Sequence, residues 1–253
     1  MTHDFADHFS AIARAYAEAR PTYPPALFAH LATLAPARRR AWDCAAGSGQ
    51  ATLQLAAYFA EVLATDASEA QLAQAPAHPG VTYRVAHAAS SGLPDASVDL
   101  VTVAQALHWL DLPPFYQEAR RVLVPEGVLA VWCYGLQQLD HEPMDRLLQH
   151  FYGAVVGPYW APERRLVESG YRTVAFPFDE LPAPTFEMAL DWTLPELLAY
   201  VRTWSATSRF SSERGYDPVE PLGGELARVW GEDARRRVRW PLSLRIGRSR
   251  GPG

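Results

Sequence analysis

The residues best suited to chemistry lie in the run Ala41-Trp42-Asp43-Cys44-Ala45-Ala46-Gly47-Ser48-Gly49-Gln50. An acid followed by small residues and two glycines can cradle a polar ligand on backbone N–H groups, because no side chain keeps the ligand from the chain. Asp66 comes seventeen residues after Gly49, where a carboxylate can accept from both hydroxyls of a ribose. Further along, His108-Trp109 places an imidazole beside an aromatic ring. It could orient a substrate or take its proton. Near the start, Phe9-x6-Tyr16-x3-Arg20-Pro21-x-Tyr23-Pro24 groups aromatic rings with an arginine, whose planar fork suits a carboxylate.

These groups need a scaffold that delivers them to one crevice. The apolar run ending at Cys44 predicts a first strand, and Gln50–Phe59 a helix. Glu61–Thr65 predicts a second strand ending at Asp66, and Ser68-x-x-Gln71 has the spacing of a helix-capping box. Val81–Val85, Val98–Val103 and Val128–Tyr134 predict three more strands, with a helix opened by Pro113-Pro114 between the last two. Five strands with intervening helices predict a doubly wound α/β sheet, parallel for the most part, with its ligand outside the carboxyl ends of the strands. In that arrangement Ala104–Trp109 leave the fourth strand directly at the crevice, while Asp99 pairs locally at its other end.

The remainder of the chain reads less regularly. Asp4–Leu34 predicts helix interrupted by Pro21, Pro24 and Pro25, and Arg38-Arg39-Arg40 a solvated turn. After Gly135, helices are expected over Pro143–Val156, Glu163–Ser169, Leu194–Ser205 and Pro221–Trp230, and strands over Thr173–Phe178, Phe186–Trp192 and Val238–Ile246. The aromatics among them suggest a cap over the crevice, or the filling of a second core face. One domain over 1–253 is expected: an N-terminal helical cover (1–40), a ligand-binding core (41–135), a cap or insertion (136–184), and a sheet edge with helices (185–253).

Composition narrows the classes. The 253 residues are 49% apolar and 20% charged, with net charge −5, enough to bury a full core and without general attraction for nucleic acid or anionic membrane. Every basic side chain is arginine, which excludes a Schiff-base lysine. Cys44 and Cys133 show no metal spacing and read as buried small hydrophobes. No signal-like or spanning stretch is seen, so a cytoplasmic protein is expected.

The loop separates two ligand classes. A dinucleotide fingerprint would place a third glycine where Thr52 stands, and does not use Asp43. Asp43-x-Ala45-x-Gly47-x-Gly49 resembles instead the acid-x-Gly-x-Gly-x-Gly loop of class I S-adenosylmethionine (SAM)-dependent methyltransferases, with Ala45 in place of the first glycine. Leu93-Pro94-Asp95-Ala96-Ser97-Val98-Asp99-Leu100-Val101 resembles the L-P-x-x-S-x-D-x-V run of the same family. From Phe9 to Gly135 the chain is similar to type 11 members, in particular the trans-aconitate methyltransferase-like group acting on small molecules. Thr203-Trp204-Ser205, Trp230-Gly231 and Trp240-Pro241-Leu242 look like features of bacterial members.

That resemblance implies a Rossmann-like, seven-stranded sheet whose last two strands form an antiparallel hairpin at one edge. It assigns Asp43, Ala45, Gly47 and Gly49 to the methionine part of SAM, Asp66 and Ala67 to the ribose, His87 and Ala88 to the adenine, and Gln105 to the cofactor face. Tyr16, Arg20, Tyr23 and Trp109 would meet the acceptor, and His108 would be the orienting group or base. The implied reaction moves a methyl group to a small-molecule oxygen, a carboxylate or a hydroxyl, leaving S-adenosylhomocysteine, with no metal, nucleic acid or membrane partner. The acceptor and the oligomeric state stay open. A non-catalytic SAM-binding scaffold and an NAD(P)-dependent oxidoreductase are the alternatives.

Overall fold

A computed structural model describes residues 21–232 and 234–249. In chain order its helices are α1 (Pro25–Leu34), α2 (Gln50–Ala56), α3 (Glu69–Leu72), α4 (Leu112–Val122), α5 (Glu142–His150), α6 (Arg164–Glu168), α7 (Leu194–Arg202), α8 (Ser205–Arg214) and α9 (Val219–Trp230). The strands are β1 (Arg40–Cys44), β2 (Glu61–Asp66), β3 (Val81–Val85), β4 (Val98–Ala104), β5 (Leu123–Tyr134), β6 (Gln138–Leu139), β7 (Asp179–Leu181), β8 (Phe186–Trp192) and β9 (Arg236–Arg248). Among the described residues the sheet has nine strands rather than the seven expected: the hydrogen-bonded order is β3-β2-β1-β4-β5-β9-β6, with β7 and β8 pairing β9 off this path. β1 to β5 run parallel and β9 antiparallel to β5.

The chain divides into two compact units interleaved in sequence. The larger, residues 23–135, 163–187 and 241–249, holds the parallel sheet. β4 is buried along nearly its whole length, as its apolar run requires of a strand covered on both faces. Trp42, Val101, Phe115, Leu129, Val131 and Tyr171 fill the core, and the Trp42 indole donates to Thr65 Oγ1 across β1 and β2 (2.9 Å). Asp99 does pair at the start of β4, accepting from the Arg39 and Arg40 amides and from the Arg39 guanidinium (3.0 Å). The triple-arginine turn is therefore a set of partnered cations: Arg40 meets Glu61, and Arg38 donates to the Ala32 carbonyl.

The smaller unit comprises 136–162, 188–240 and residues 21–22. α5 runs into a π-helical turn, Phe151–Val155, and β6 pairs with Val238–Arg239. Its aromatics pack on one another: Trp192, Tyr200 and Trp240 form one group, Tyr152, Trp160 and Trp204 another. α7 opens on Thr193, whose amide donates to Glu196 as the capping box requires (2.6 Å).

Two expectations change. Thr173–Phe178 is not a strand; the strand falls at Asp179–Leu181. Pro177 lacks a ladder donor, and side chains take the carbonyls instead: Tyr116 donates to Ala175 O and Arg120 to Pro177 O. Phe176 and Phe178 still share a face because both rings pack on Tyr116. The helix expected over Leu194–Ser205 ends at Arg202, and a second helix, Ser205–Arg214, follows. It buries only Ala206, Thr207 and Phe210, too narrow a stripe to read from spacing.

Glu118, almost fully buried on α4, joins this helix to the loop before β4. It accepts from the Ser91 amide and hydroxyl and from both arms of Arg121 (2.6–2.8 Å). Burial pushes its carboxyl up, but Arg121 and Ser91 outweigh that and hold it below the ordinary glutamate range. Glu118→Ala strands the Ser91 donors and should cost about 1–3 kcal/mol in urea unfolding; an unshifted midpoint would show that this link carries no stability.

Candidate functional site

The loop after β1 is built from left-handed backbone. Ala45, Gly47 and Gly49 have φ of 56°, 56° and 82°, conformations that glycine adopts freely and alanine only with strain. The alanine that departs from the glycine pattern thus keeps the shape glycine would give. A Cβ at Gly49 would lie 2.8 Å from the Tyr83 hydroxyl oxygen, so this position has no room for a side chain. The loop is fixed by Ala46 N–H to Thr65 O, Gly49 N–H to Ala46 O, and Gly47 N–H to Asp66 Oδ2 (2.9–3.0 Å).

Asp43 lies beneath that loop. It is fully buried and accepts from the Thr52 hydroxyl (2.6 Å) on α2 and the Thr102 hydroxyl (2.8 Å) on β4. Burial, with Asp66 adding to it, pushes its carboxyl up to about 6, while the two hydroxyls oppose the shift. Thr52 and Asp43, the two letters that set the loop apart from a dinucleotide fingerprint, are thus the two ends of one hydrogen bond.

Asp66 closes β2 at the wall of a cavity of about 380 Å³. Its Oδ2 accepts from Gly47 and its Oδ1 from Ser68 N–H (2.8 Å), which leaves lone pairs on both oxygens for further donors. Ser68, as expected, caps α3 through the Gln71 amide. Around Asp66 the wall is made of alanines: Ala45, Ala67, Ala86, Ala88, Ala89 and Ala106. His87, Trp109, Leu110 and Asp111 complete it, and Trp109 is 61% exposed. Of the residues expected from the loop spacing and the family resemblance, Ala45, Asp66, Ala67, His87, Ala88 and Trp109 are on this wall. Ala86, Leu110 and Asp111 were not among them, since Asp111 before Pro113-Pro114 reads simply as a helix start.

Other expected site residues lie off this wall. Gln105 has φ 56°, and its side-chain amide clasps the Tyr134 backbone in both directions (2.8 and 3.0 Å), tying β4 to β5. Tyr23 is 4% exposed and packs against Phe28, Trp132 and Tyr134. Tyr16 and Arg20 lie outside the described residues. His108 sits on a 3-10 turn, Leu107–Trp109, next to the wall but not part of it. Its Nδ1 is 2.9 Å from the Tyr171 hydroxyl, and its ring contacts Trp109. Burial, helped by Arg164 and opposed by Glu163, pushes His108 down to about 4, so the imidazole is neutral at pH 7. Both cysteines are buried and unpaired with each other, and burial raises both thiols. No group of metal-ligating side chains occurs among the described residues.

Residues 42–131, from β1 into β5, match the family described as a methyltransferase domain. A methyltransferase of Dictyostelium discoideum is 35% identical over 229 residues, 89% of this chain and 87% of the relative. The chain belongs to the class I SAM-dependent methyltransferases. A solved structure from Anaeromyxobacter dehalogenans, described as a type II methyltransferase, is 46% identical. It superposes with a TM-score of 0.87 over 92% of this chain and 99% of that one. A methyltransferase structure from Anabaena variabilis, at 20% identity and TM-score 0.54, shares the fold. The nicotinamide and scaffold alternatives give way to a methyltransferase enzyme of a SAM-using family. No helix of the described residues is long and apolar enough to cross a membrane.

Asp43 gives this methyltransferase a pH-dependent core. Its folded carboxyl titrates near 6 rather than 3.8. The native state therefore holds a proton that the unfolded chain has released, and the stabilisation is present below about 3.8 and lost as pH rises through about 6. Two units correspond to about 3 kcal/mol. Asp43→Asn should be more stable relative to wild type at pH 7.5 than at pH 4 by about that amount in urea unfolding. Parallel pH profiles for the two proteins would contradict this assignment.

Proposed function

We propose that this methyltransferase binds SAM in the 380 Å³ cavity and transfers its methyl group to an oxygen of a small molecule. The observation that carries the reading is the Asp66 carboxylate, held by Gly47 and Ser68 amides at the wall of an alanine-lined cavity. Its unused lone pairs suit the two hydroxyls of a ribose, and Ala86, Ala88 and Ala89 leave flat space for an adenine. The left-handed loop from Ala45 to Gly49 lets a methionine moiety approach the backbone. Asp43 supports that loop from below rather than touching a ligand.

When bound, SAM supplies an already activated methyl group on a sulfonium. The protein's task is then to hold the acceptor in line and to exclude water, and near-attack positioning contributes roughly 7–11 kcal/mol in favourable cases. His108, neutral and pushed down to about 4, is a poor proton acceptor at pH 7 but a sound hydrogen-bond partner. That favours an acceptor ionised on its own, a carboxylate, over a hydroxyl that needs a base. Arg20, Tyr16 and Trp109 are the acceptor contacts we assign. A net charge of −5, with arginines paired to acids over the surface, supports a small acceptor rather than nucleic acid.

Two measurements test this. S-adenosylhomocysteine at about a hundred times its Kd should add roughly 2.7 kcal/mol of stability to the wild type. Asp66→Ala should lose that gain; a shift with NAD instead, or an undiminished gain in the variant, would overturn the site. A screen with methyl-labelled SAM should then label small carboxylates at a rate flat with pH near neutrality. Transfer confined to amines, RNA or protein would exclude an oxygen acceptor.

A further inference from the structure

We infer that Tyr171 is a positioning residue that holds His108 in the tautomer with its proton on Nε2, presenting a hydrogen-bond donor beside the cavity; this rests on the role proposed for His108 above. Tyr171 is fully buried and has φ 59°, directly after Gly170 at 60°. A bulky residue keeps a left-handed conformation only where its surroundings impose it. Here the Tyr171 amide donates to Leu166 O (2.8 Å), and Arg245 Nη1 donates to the carbonyls of both Tyr171 and Val174 (2.8 and 2.7 Å). Arg245 is itself gripped by both Glu180 oxygens (2.9 and 3.0 Å). Gly170 admits no side chain, since a Cβ would stand 2.5 Å from Ser243 Oγ.

The outcome of this bracing is one contact, Tyr171 Oη to His108 Nδ1 at 2.9 Å. Of the two groups the phenol is the stronger donor and the neutral imidazole nitrogen the stronger acceptor, so the hydroxyl proton points to Nδ1 and the ring proton is left on Nε2. Burial raises the Tyr171 hydroxyl far above the ordinary tyrosine range, with Cys133 adding to it, so that proton stays in place. Nε2 makes no hydrogen bond within the described residues. The charged groups facing the ring are Arg164 and Glu163, of opposite sign. A core-filling tyrosine would need neither the strained backbone nor the alignment with Nδ1.

The test reads the imidazole directly, without cofactor or acceptor. Long-range proton–nitrogen correlation on the full chain labelled with 15N-histidine, assigned through His108→Gln, should show His108 protonated on Nε2 alone and untitrated from about pH 5.5 to 8. Tyr171→Phe keeps the ring and removes the hydroxyl, and should turn His108 into a mixture of the two neutral tautomers. A wild-type spectrum with the proton on Nδ1, or an unchanged tautomer in Tyr171→Phe, overturns the inference. If the variant does not fold, the wild-type spectrum alone decides. A failed oxygen-acceptor screen would leave this result untouched, so the two readings fail separately.

Discussion

One buried carboxylate holds the business end of the sheet together. Asp43 takes a hydroxyl from α2 and another from β4, so the strand that leads into the loop, the helix that leaves it and the neighbouring strand meet on a single group. A lone buried acid of this kind is costly unless it is hydrogen-bonded, and two threonines give each oxygen one donor. Because they do, the loop above Asp43 can consist of alanine, glycine and serine without collapsing onto the sheet. The carboxyl lies beneath the loop rather than in it.

That arrangement explains why so few functional side chains are found. The cavity wall is mainly alanine, and its best placed acid, Asp66, has both oxygens already steadied by amides. Fixed acceptors lose little freedom when a ligand arrives. For a methyl donor that needs no electrophilic activation by the protein, shape and orientation are the main requirements. The more reactive groups nearby are held back: His108 by burial and Tyr171, Cys133 by its place in the core.

Most of the sheet was legible because its strands are short runs rich in β-branched and apolar residues, bounded by turn signals such as Ala45–Gly49 and Pro79-Gly80. The loop was legible because glycine and the capping serine have narrow conformational uses. The places where spacing failed share a cause. Pro177 and its neighbours alternate like a strand, yet their carbonyls are taken by side chains distant in sequence. Gln105 reads as a polar residue at the crevice, and the structure adds that its amide clasps the Tyr134 backbone. Tyr171 carried no local signal at all, since its meaning depends on Arg245, seventy-four residues away. Long-range partners decide such residues, and no window of sequence contains both members.

Ala45 shows where the cost of a rigid site falls. Holding an alanine at φ 56° takes free energy on the order of 1 kcal/mol, drawn from the stability of the whole domain. The loop nevertheless keeps its left-handed form, held against alanine's own preference by the Ala46–Thr65, Gly49–Ala46 and Gly47–Asp66 hydrogen bonds. The ordering is completed during folding, not at capture, so association need not wait for the loop to find its shape. Preorganisation of this kind is invisible in a list of contacts to a ligand, because the bonds that supply it run from the loop to its own neighbours.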